Sequence, residues 1–270
     1  MPPSSESRAR LASPLDAASI RSRLRDPELS FEIVFSIGST NRCLADRRDR
    51  GECLQVLMAE QQTAGRGRHG RQWLSPPGRG LYLSMAREFS RDLQDLSALS
   101  LVAGLAAADA VAQHSVVQVG VKWPNDLQVD GKKLGGCLID LKQGSNQRCL
   151  AIVGIGINVD LSGIPGPDQP WTDLVLQGGS GDRNRLAAEL INALERDLAQ
   201  FDHSGFEVFR PRWEAHDVLR GQHVRLIGSG ADLKGLGMGV DRSGSLLLQT
   251  ATGVQTIHAG EVSVRCPTRG

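Results

Sequence analysis

The hydrophobic pattern of the first 210 residues predicts strands interspersed with helices. Apolar positions at helical spacing predict helices at 13–26, 39–49, 92–113 and 183–203, the first with Ser13 as N-cap and Pro14 at the first helical position. Short apolar runs predict strands at 31–35, 54–59, 81–87, 118–123, 127–130, 134–141 and 150–158, with Asp130-Gly131 as a hairpin turn. Because several strands follow one another without an intervening helix, the pattern predicts an α+β fold with a mixed sheet.

The pattern changes after residue 211, where short apolar runs alternate with glycine-rich turns. These runs predict strands at 223–227, 233–240, 245–249, 254–258 and 261–265. Their regular spacing is typical of a small β-barrel. The sequence therefore predicts a flexible tail at 1–12, a main domain at 13–210 and a barrel domain at 211–270.

Composition and charge exclude several classes of protein. The chain has 270 residues with 31 Lys plus Arg against 30 Asp plus Glu, a net charge of +1, so it carries no general field for a polyanion. The longest purely apolar run of the region 96–112 is 101–108, shorter than the roughly 20 residues of a membrane span, and residues 1–10 lack a signal-peptide core. The five scattered cysteines form no C-x-x-C motif, which disfavours zinc and disulfides. We expect a cytoplasmic protein without a membrane anchor.

A glycine- and arginine-rich stretch, residues 61–79, holds the first candidate chemistry. Gly65 to Gly70 matches the dinucleotide motif G-x-G-x-x-G, but that motif must open into a helix, and the Pro76-Pro77-Gly78 that follows cannot continue one. Three guanidinium groups within six residues instead favour a loop that binds a phosphate or carboxylate. A solvated basic loop remains the alternative, and Trp73 beside it favours a ligand with a flat ring. The three guanidinium groups belong to Arg66, Arg68 and Arg71.

Three further strings end or interrupt predicted strands with unusual residues. Lys122-Trp123-Pro124-Asn125-Asp126 ends a strand in a rigid turn. The alternative interpretation is an ordinary hydrophobic strand end followed by an Asn-Asp turn. Lys133 precedes Gly135 and Gly136, and the run from Gly154 to Asn158 alternates glycine with isoleucine. Glycine in a strand allows a ligand to lie against the backbone, whereas a surface hairpin lysine is the plain alternative for Lys133.

Taken in order, these strings together with Ser39-Thr40-Asn41 and Gln62 resemble the biotin protein ligases, over residues 36 to 265. The resemblance implies a catalytic domain similar to class II aminoacyl-tRNA synthetases, followed by an SH3-like barrel. It implies that ATP, with Mg²⁺ on its phosphates, activates biotin to biotinyl-AMP. Biotin then passes to a lysine of a biotin carboxyl carrier protein, with acetyl-CoA carboxylase as the expected owner of that carrier domain.

The resemblance also implies roles for individual residues. Lys133 and Arg68 would be catalytic. The implied biotin-binding residues are Ser39, Thr40, Asn41, Gln62, Gly65, Arg66, Gly67, Arg68, Lys133, Gly135 and Gly136. The implied ATP- and adenylate-binding residues are Arg68, Arg71, Trp73, Lys122, Asn125, Asp126, Lys133, Asn158 and Arg265, and no protein ligand for a metal is identified.

Two features of this chain depart from the common family pattern. His69 occupies a position often held by arginine, and only 38 residues precede Ser39, which leaves no room for a helix-turn-helix domain. We therefore expect a monofunctional ligase that binds no DNA. A lipoate-type ligase is the nearest alternative, and a nucleic-acid-binding regulator is the alternative from another class. The resemblance leaves monomer and homodimer open.

Overall fold

The computed structural model describes residues 13–115, 117–143, 148–165, 170–228, 231–258 and 262–265, so the predicted tail at 1–12 lies outside the described residues. Five helices are described: α1 (Ala17–Arg21), α2 (Thr40–Asp49), α3 (Leu99–Ala112), α4 (Arg183–Ser204) and α5 (Arg210–His216). The strands of the first sheet are β1 (Phe31–Ile37), β2 (Val56–Gln62), β3 (Gly80–Phe89), β4 (Gly120–Lys122), β5 (Asp126–Val129), β6 (Lys132–Gln143) and β7 (Cys149–Asn158). Those of the second are β8 (His223–Gly228), β9 (Ala231–Val240), β10 (Leu246–Thr250), β11 (Gly253–Ile257) and β12 (Val262–Arg265).

The first sheet is mixed, as the strand pattern predicts. Its seven strands run in the order β1-β2-β3-β7-β6-β5-β4, with β1 parallel to β2 and all other neighbours antiparallel. The hairpin between β5 and β6 turns at Asp130 and Gly131, both at positive φ, 49° and 73°. Positive φ at two central residues is the type I′ geometry that an Asp-Gly pair favours.

Helices cover both faces of this sheet. Helix α2 packs on one face through Leu44, which contacts a small cluster with Leu57 and Ile152. Helices α3 and α4 lie on the other face within the main hydrophobic core. The stretch Leu93–Ala112 meets the length and composition of a membrane span, but 72% of it is buried inside the fold. It is the central core helix with its preceding 3-10 turn.

The second sheet has five antiparallel strands in the order β11-β10-β9-β8-β12. It meets the first domain at the turn around Gly244, where φ is +80° and an added Cβ would lie 2.7 Å from Ala98. The carbonyl of Gly244 accepts a hydrogen bond of 3.0 Å from Trp123 Nε1. The second sheet therefore contacts the turn that follows β4.

Two predicted helical features were wrong. Helix α1 is only five residues long, and its N-cap is Asp16 rather than Ser13, because the Asp16 side chain accepts from Ser19 N at 2.7 Å. Helix α5 was missed, although Pro211 in its first turn is a typical helix-start signal. The predicted domain boundary at 211 falls within α5.

Candidate active site

A pocket opens on the α2 face of the first sheet, between α2, the ends of β6 and β7 and the arginine loop, residues 63–79. Most of the sequence-predicted site residues line it, which brings together segments more than a hundred residues apart in the chain. The polar and charged lining side chains are Ser39, Thr40, Asn41, Gln62, Arg66, Arg68, His69, Arg71, Gln72, Trp73, Lys122, Asn125, Asp126 and Lys133.

One end of this pocket, which we call the neutral end, consists of hydroxyl and amide groups. It comprises Ser39, Thr40, Asn41 and Gln62, which line the pocket, and the buried Ser84 behind them. Gln62 Oε1 accepts from Thr40 N at 2.9 Å and from Thr40 Oγ1 at 3.1 Å, which fixes the first turn of α2. Ser84 Oγ lies 2.7 Å from Thr40 Oγ1 and 2.6 Å from Asn41 Oδ1. The side chains of the neutral end are therefore oriented by one another.

The alternation of β7 places two glycines on the pocket face. Successive residues of a strand face opposite sides of the sheet. Because the side chain of Ile152 packs against Leu44 of α2, Gly154 and Gly156 lie on the same face. An added Cβ at Gly154 would collide with Asn41 Oδ1, and one at Gly156 would lie 2.7 Å from the Trp73 ring. Both glycines are required so that these side chains can lie against the strand.

The arginine loop forms a small hairpin. Trp73 N donates to Gly65 O at 2.9 Å and Gly67 N to Arg71 O at 2.7 Å. The hairpin turns through His69 and Gly70, whose φ values are 56° and 71°. No helix follows Gly70, in agreement with the rejection of a dinucleotide loop.

The opposite end, which we call the cationic end, collects positive charge. It comprises Arg68, Arg71, Lys122, Lys133 and Asp126. Asp126 is the single carboxylate among the described residues that line the pocket. Burial lowers the pKa of the Arg68 guanidinium, opposed by the Asp126 carboxylate and assisted by Arg71. Because burial disfavours its charged form, a bound anion would stabilise this arginine.

Lys133 lies at the centre of the cationic end. Its Nζ is 2.6 Å from Asp126 Oδ1 and 5.3 Å from the centre of the Trp73 ring. Asp126 follows the cis Trp123-Pro124 bond, in a turn where Asn125 Nδ2 donates to Cys137 O at 2.8 Å. The turn therefore places the carboxylate that orients the lysine.

A smaller cavity lies on the other side of Trp73. It is lined by Gln72, Trp73, Leu74, Lys133, Asn158, Leu161 and Trp171. Asn158 Nδ2 donates to Thr172 O at 3.0 Å and so supports the segment that carries Trp171. This ring cavity, with two indoles and the lysine in its lining, suits a flat aromatic group beside an anion.

The structure corrects several sequence-based expectations. Gly135 does not line the pocket, because it alternates with Gly136 and faces Leu127, and an added Cβ there would lie 2.6 Å from Gly156 O. Gly65 lies at the base of the hairpin, where an added Cβ would be 2.5 Å from Trp73 O. Asn158 lines the ring cavity rather than the main pocket.

Two further expectations concern Trp73 and Arg265. Trp73 is half-buried, and its buried Nε1 has no partner among the described groups. Arg265 lies in β12, where its backbone pairs with that of Arg225 in β8. The side chain of Arg265 is not described. Its predicted contact with ATP stays a prediction.

Sequence reasoning missed three residues of the site. Ser84 is a single hydroxyl in an otherwise apolar strand run, a signal that could have found it. Asp140 Oδ2 accepts from Asn41 Nδ2 at 3.0 Å and lies 3.4 Å from Arg66 Nη1, but only β6 pairing places it there. Trp171, an aromatic residue in a polar loop, could have been noted by the same reasoning as Trp73.

The donor set of the pocket does not fit a resident metal ion. No group of three or more His, Cys, Asp or Glu side chains suited to a metal occurs in the part of the chain that the structure describes. The carboxylate of the pocket is already paired with Lys133. The arrangement is instead suited to an elongated molecule, neutral and hydrogen-bonding at one end and anionic at the other, beside a flat ring.

Comparison with known proteins gives consistent matches over both domains. A family model described as the biotin/lipoate A/B protein ligase family matches residues 35–158, and one described as the biotin protein ligase C-terminal domain matches residues 220–265. The chain is 34% identical over 267 residues to the biotin–[acetyl-CoA-carboxylase] ligase of Mycobacterium tuberculosis, covering 94% of this chain and 97% of that protein.

Two other proteins are also similar. The bifunctional ligase/repressor BirA of Escherichia coli is 36% identical over 238 residues, covering 87% of this chain and 74% of that protein. The solved structure of a biotin protein ligase from Aquifex aeolicus in complex with biotin and ATP superposes with a TM-score of 0.74 at 29% identity. That match covers 88% of this chain and 99% of the other.

Proposed function

The chain belongs to the biotin/lipoate A/B protein ligase family, and on this premise we propose that it activates biotin with ATP and transfers it to a carrier lysine. Its similarity to proteins named biotin–[acetyl-CoA-carboxylase] ligase identifies it as a biotin protein ligase. One observation carries the assignment of its residues: a single pocket joins the neutral end to the cationic end. Biotin has the matching chemistry, a neutral cyclic urea at one end and a carboxylate at the other.

The neutral end binds the ureido ring in this proposal. Its hydroxyl and amide groups offer both donors and acceptors to the urea, and the lack of a side chain at Gly154 lets Asn41 lie against the strand. Because the side chains are already oriented by mutual hydrogen bonds, little conformational entropy is lost when the ring binds. Arg66, joined to Asp140, positions the hairpin over the same end.

The cationic end performs the first chemical step. A biotin carboxylate oxygen attacks the α-phosphorus of ATP, the new P–O bond forms, and the bond to pyrophosphate breaks. Lys133 stabilises the negative charge between carboxylate and phosphate, and Arg68 and Arg71 neutralise the phosphate oxygens. Oriented reactants and fixed charges supply the rate enhancement, because no protein nucleophile is needed.

The adenine ring occupies the ring cavity in this proposal. Trp73 and Trp171 offer faces to the purine, and the orphaned Trp73 Nε1 offers a donor. Asn158 lines this cavity and supports the Trp171 segment through its bond to Thr172 O. Mg²⁺ enters with the phosphates of ATP, as part of the substrate.

The second step transfers biotin to the partner. The amine of a carrier lysine attacks the acyl carbon of biotinyl-AMP, an amide bond forms and AMP leaves. The arginine loop covers the adenylate so that water does not hydrolyse it first. We propose a biotin carboxyl carrier domain, that of acetyl-CoA carboxylase, as the acceptor, and we propose that the chain binds no DNA, for which the net charge of +1 is the supporting observation.

Two further proposals concern location and assembly. We propose a cytoplasmic location, supported by the free thiols of Cys43, Cys53, Cys137 and Cys149, since thiols persist in a reducing compartment. We propose a homodimer, supported by Phe35 on the edge strand β1, whose side chain is 71% exposed. Sedimentation of the purified protein with biotin and ATP measures its oligomeric state. A protein that stays monomeric under these conditions would contradict the proposed homodimer.

The decisive experiment is ATP–pyrophosphate exchange with biotin, with lipoate as the control. We expect exchange with biotin alone, because the neutral end matches a urea and not a dithiolane ring. Exchange that depends on lipoate and not on biotin would favour the lipoate-type ligase. Specific binding to operator DNA in a gel shift would favour the regulator.

A further inference from the structure

Asp173 is a buried carboxylate outside the main pocket. Its side chain is fully buried, and it takes part in none of the ion pairs among the described residues. One of its oxygens accepts a backbone hydrogen bond from a separate segment, and the other accepts one within its own turn. Oδ2 accepts from Leu161 N at 3.0 Å, and Oδ1 accepts from Leu176 N at 2.7 Å.

The segments joined by Asp173 form one wall of the ring cavity. Leu161 and Trp171 both line that cavity. The residues before Asp173 run beside Lys133, since Lys133 N donates to Pro170 O at 3.0 Å and Thr172 N donates to Lys133 O at 2.9 Å. Asp173 therefore connects the wall at Leu161 to the backbone that holds Lys133.

A carboxylate at this place needs a reason. A buried charge without a cationic partner is costly, and here backbone N–H donors provide the compensation. One charge-assisted bond holds the turn from Asp173 to Leu176, and the other ties that turn to Leu161, more rigidly than neutral hydroxyl contacts would. We propose that Asp173 is a positioning residue for the nucleotide: it fixes the Leu161 and Trp171 wall of the ring cavity and leaves the biotin end untouched. This inference rests on the proposed function, because it takes the ring cavity as the adenine site.

The test compares Asp173→Asn and Asp173→Ala with the wild type in biotin-dependent ATP–pyrophosphate exchange. Asparagine keeps one acceptor oxygen but turns an NH₂ group towards a backbone N–H, whereas alanine removes both acceptors. We expect the KM for ATP to rise about tenfold in the asparagine variant and further in the alanine variant, the scale of one or more lost buried hydrogen bonds. The KM for biotin should change less than about twofold, because the residues that bond to Asp173, Leu161 and Leu176, do not belong to the neutral end.

Asp182→Asn is the matched control. Asp182 also accepts two backbone N–H groups, from Asn184 and Arg185, at the N-terminus of α4, and asparagine is an equally good N-cap. Its KM for ATP should equal that of the wild type. A second measurement follows release of preformed biotinyl-AMP, which should be faster in both Asp173 variants.

The outcomes distinguish a failure of the Asp173 inference from a failure of the proposed function. If the KM values for ATP and biotin rise together, or if only the melting temperature falls while adenylate release is unchanged, Asp173 is merely structural and the inference is wrong. If the alanine variant does not fold, the asparagine variant decides. If the wild type itself shows no biotin-dependent exchange, the proposed function fails instead.

Discussion

The two ends of the pocket are built on opposite principles. At the neutral end every side chain but one has its orientation set by a neighbour in the same cluster, with Gln62 and Ser84 at the centre. At the cationic end the described lining holds four positive side chains and one carboxylate, Asp126, which pairs with Lys133. The neutral end is therefore ordered by its own hydrogen bonds before a ligand binds, whereas the excess of positive charge at the cationic end attracts an anion. Substitutions should therefore act on binding at one end and on chemistry at the other.

The largest effect is expected from Lys133→Ala. Removing the ammonium group at the centre of the cationic end should lower the rate of adenylate formation by about 10²–10³-fold, the usual effect of losing one transition-state charge partner. Biotin-dependent pyrophosphate exchange measures it. The exposed neighbour Lys132→Ala is the control and should keep full activity. Full activity in Lys133→Ala would refute the role of this lysine.

The next effect comes from the two glycines of β7, which face different ends. Gly154→Ala places a methyl group against Asn41 and should raise the KM for biotin by at least about tenfold, while Gly156→Ala displaces Trp73 and should raise mainly the KM for ATP. Steady-state kinetics separate the two constants. Gly38→Ala, where nothing lies within 4 Å of the added Cβ, is the control. Equal effects of both variants on both constants would remove the distinction between the ends.

A moderate effect on stability is expected from Ser84→Ala. The change leaves Asn41 Oδ1 buried without its hydroxyl donor, so the free energy of unfolding should fall by about 1–3 kcal/mol. Urea denaturation measures this value, with the exposed Ser22→Ala as control. Biotin affinity should fall as well, because Asn41 loses one of the hydrogen bonds that orient it. An unchanged affinity would mean that the neutral end is not ordered by these bonds.

The smallest effect concerns Cys137, whose side chain lies in the core beneath the cationic end. Burial raises its pKa to about 12, with Asp126 adding to the rise and Lys133 opposing it. The folded protein therefore keeps the thiol protonated. The unfolded chain loses that proton near the ordinary pKa of 9.0, so the associated stability declines as the pH rises from 9 towards 12. Iodoacetamide at pH 9 should label exposed Cys53 and leave Cys137 unlabelled, and equal labelling would contradict the burial.

Much of the fold could be predicted from local patterns. The Asp130-Gly131 turn, the start of α2 at Thr40 after Ser39, and the mixed sheet follow from turn chemistry, capping residues and strand order. The short α1 could not, because Asp16 and Ser13 are both good caps and the choice between them depends on long-range bonds. Arg183 donates to Ser13 O at 2.8 Å, and Asp16 N donates to Asn184 Oδ1 at 2.7 Å.

Residue types alone indicated anion binding and close backbone approach, through the arginine run, Lys133 and the paired glycines. Biotin and ATP as ligands followed from the resemblance that these strings carry in order. Which of these residues meet depends on the folded structure. Gly136 faces the pocket and Gly135 the core, Asp140 reaches Asn41 across the sheet, and Asp173 joins two segments beside Lys133. Such contacts depend on strand register and long-range packing, which no short stretch of sequence encodes.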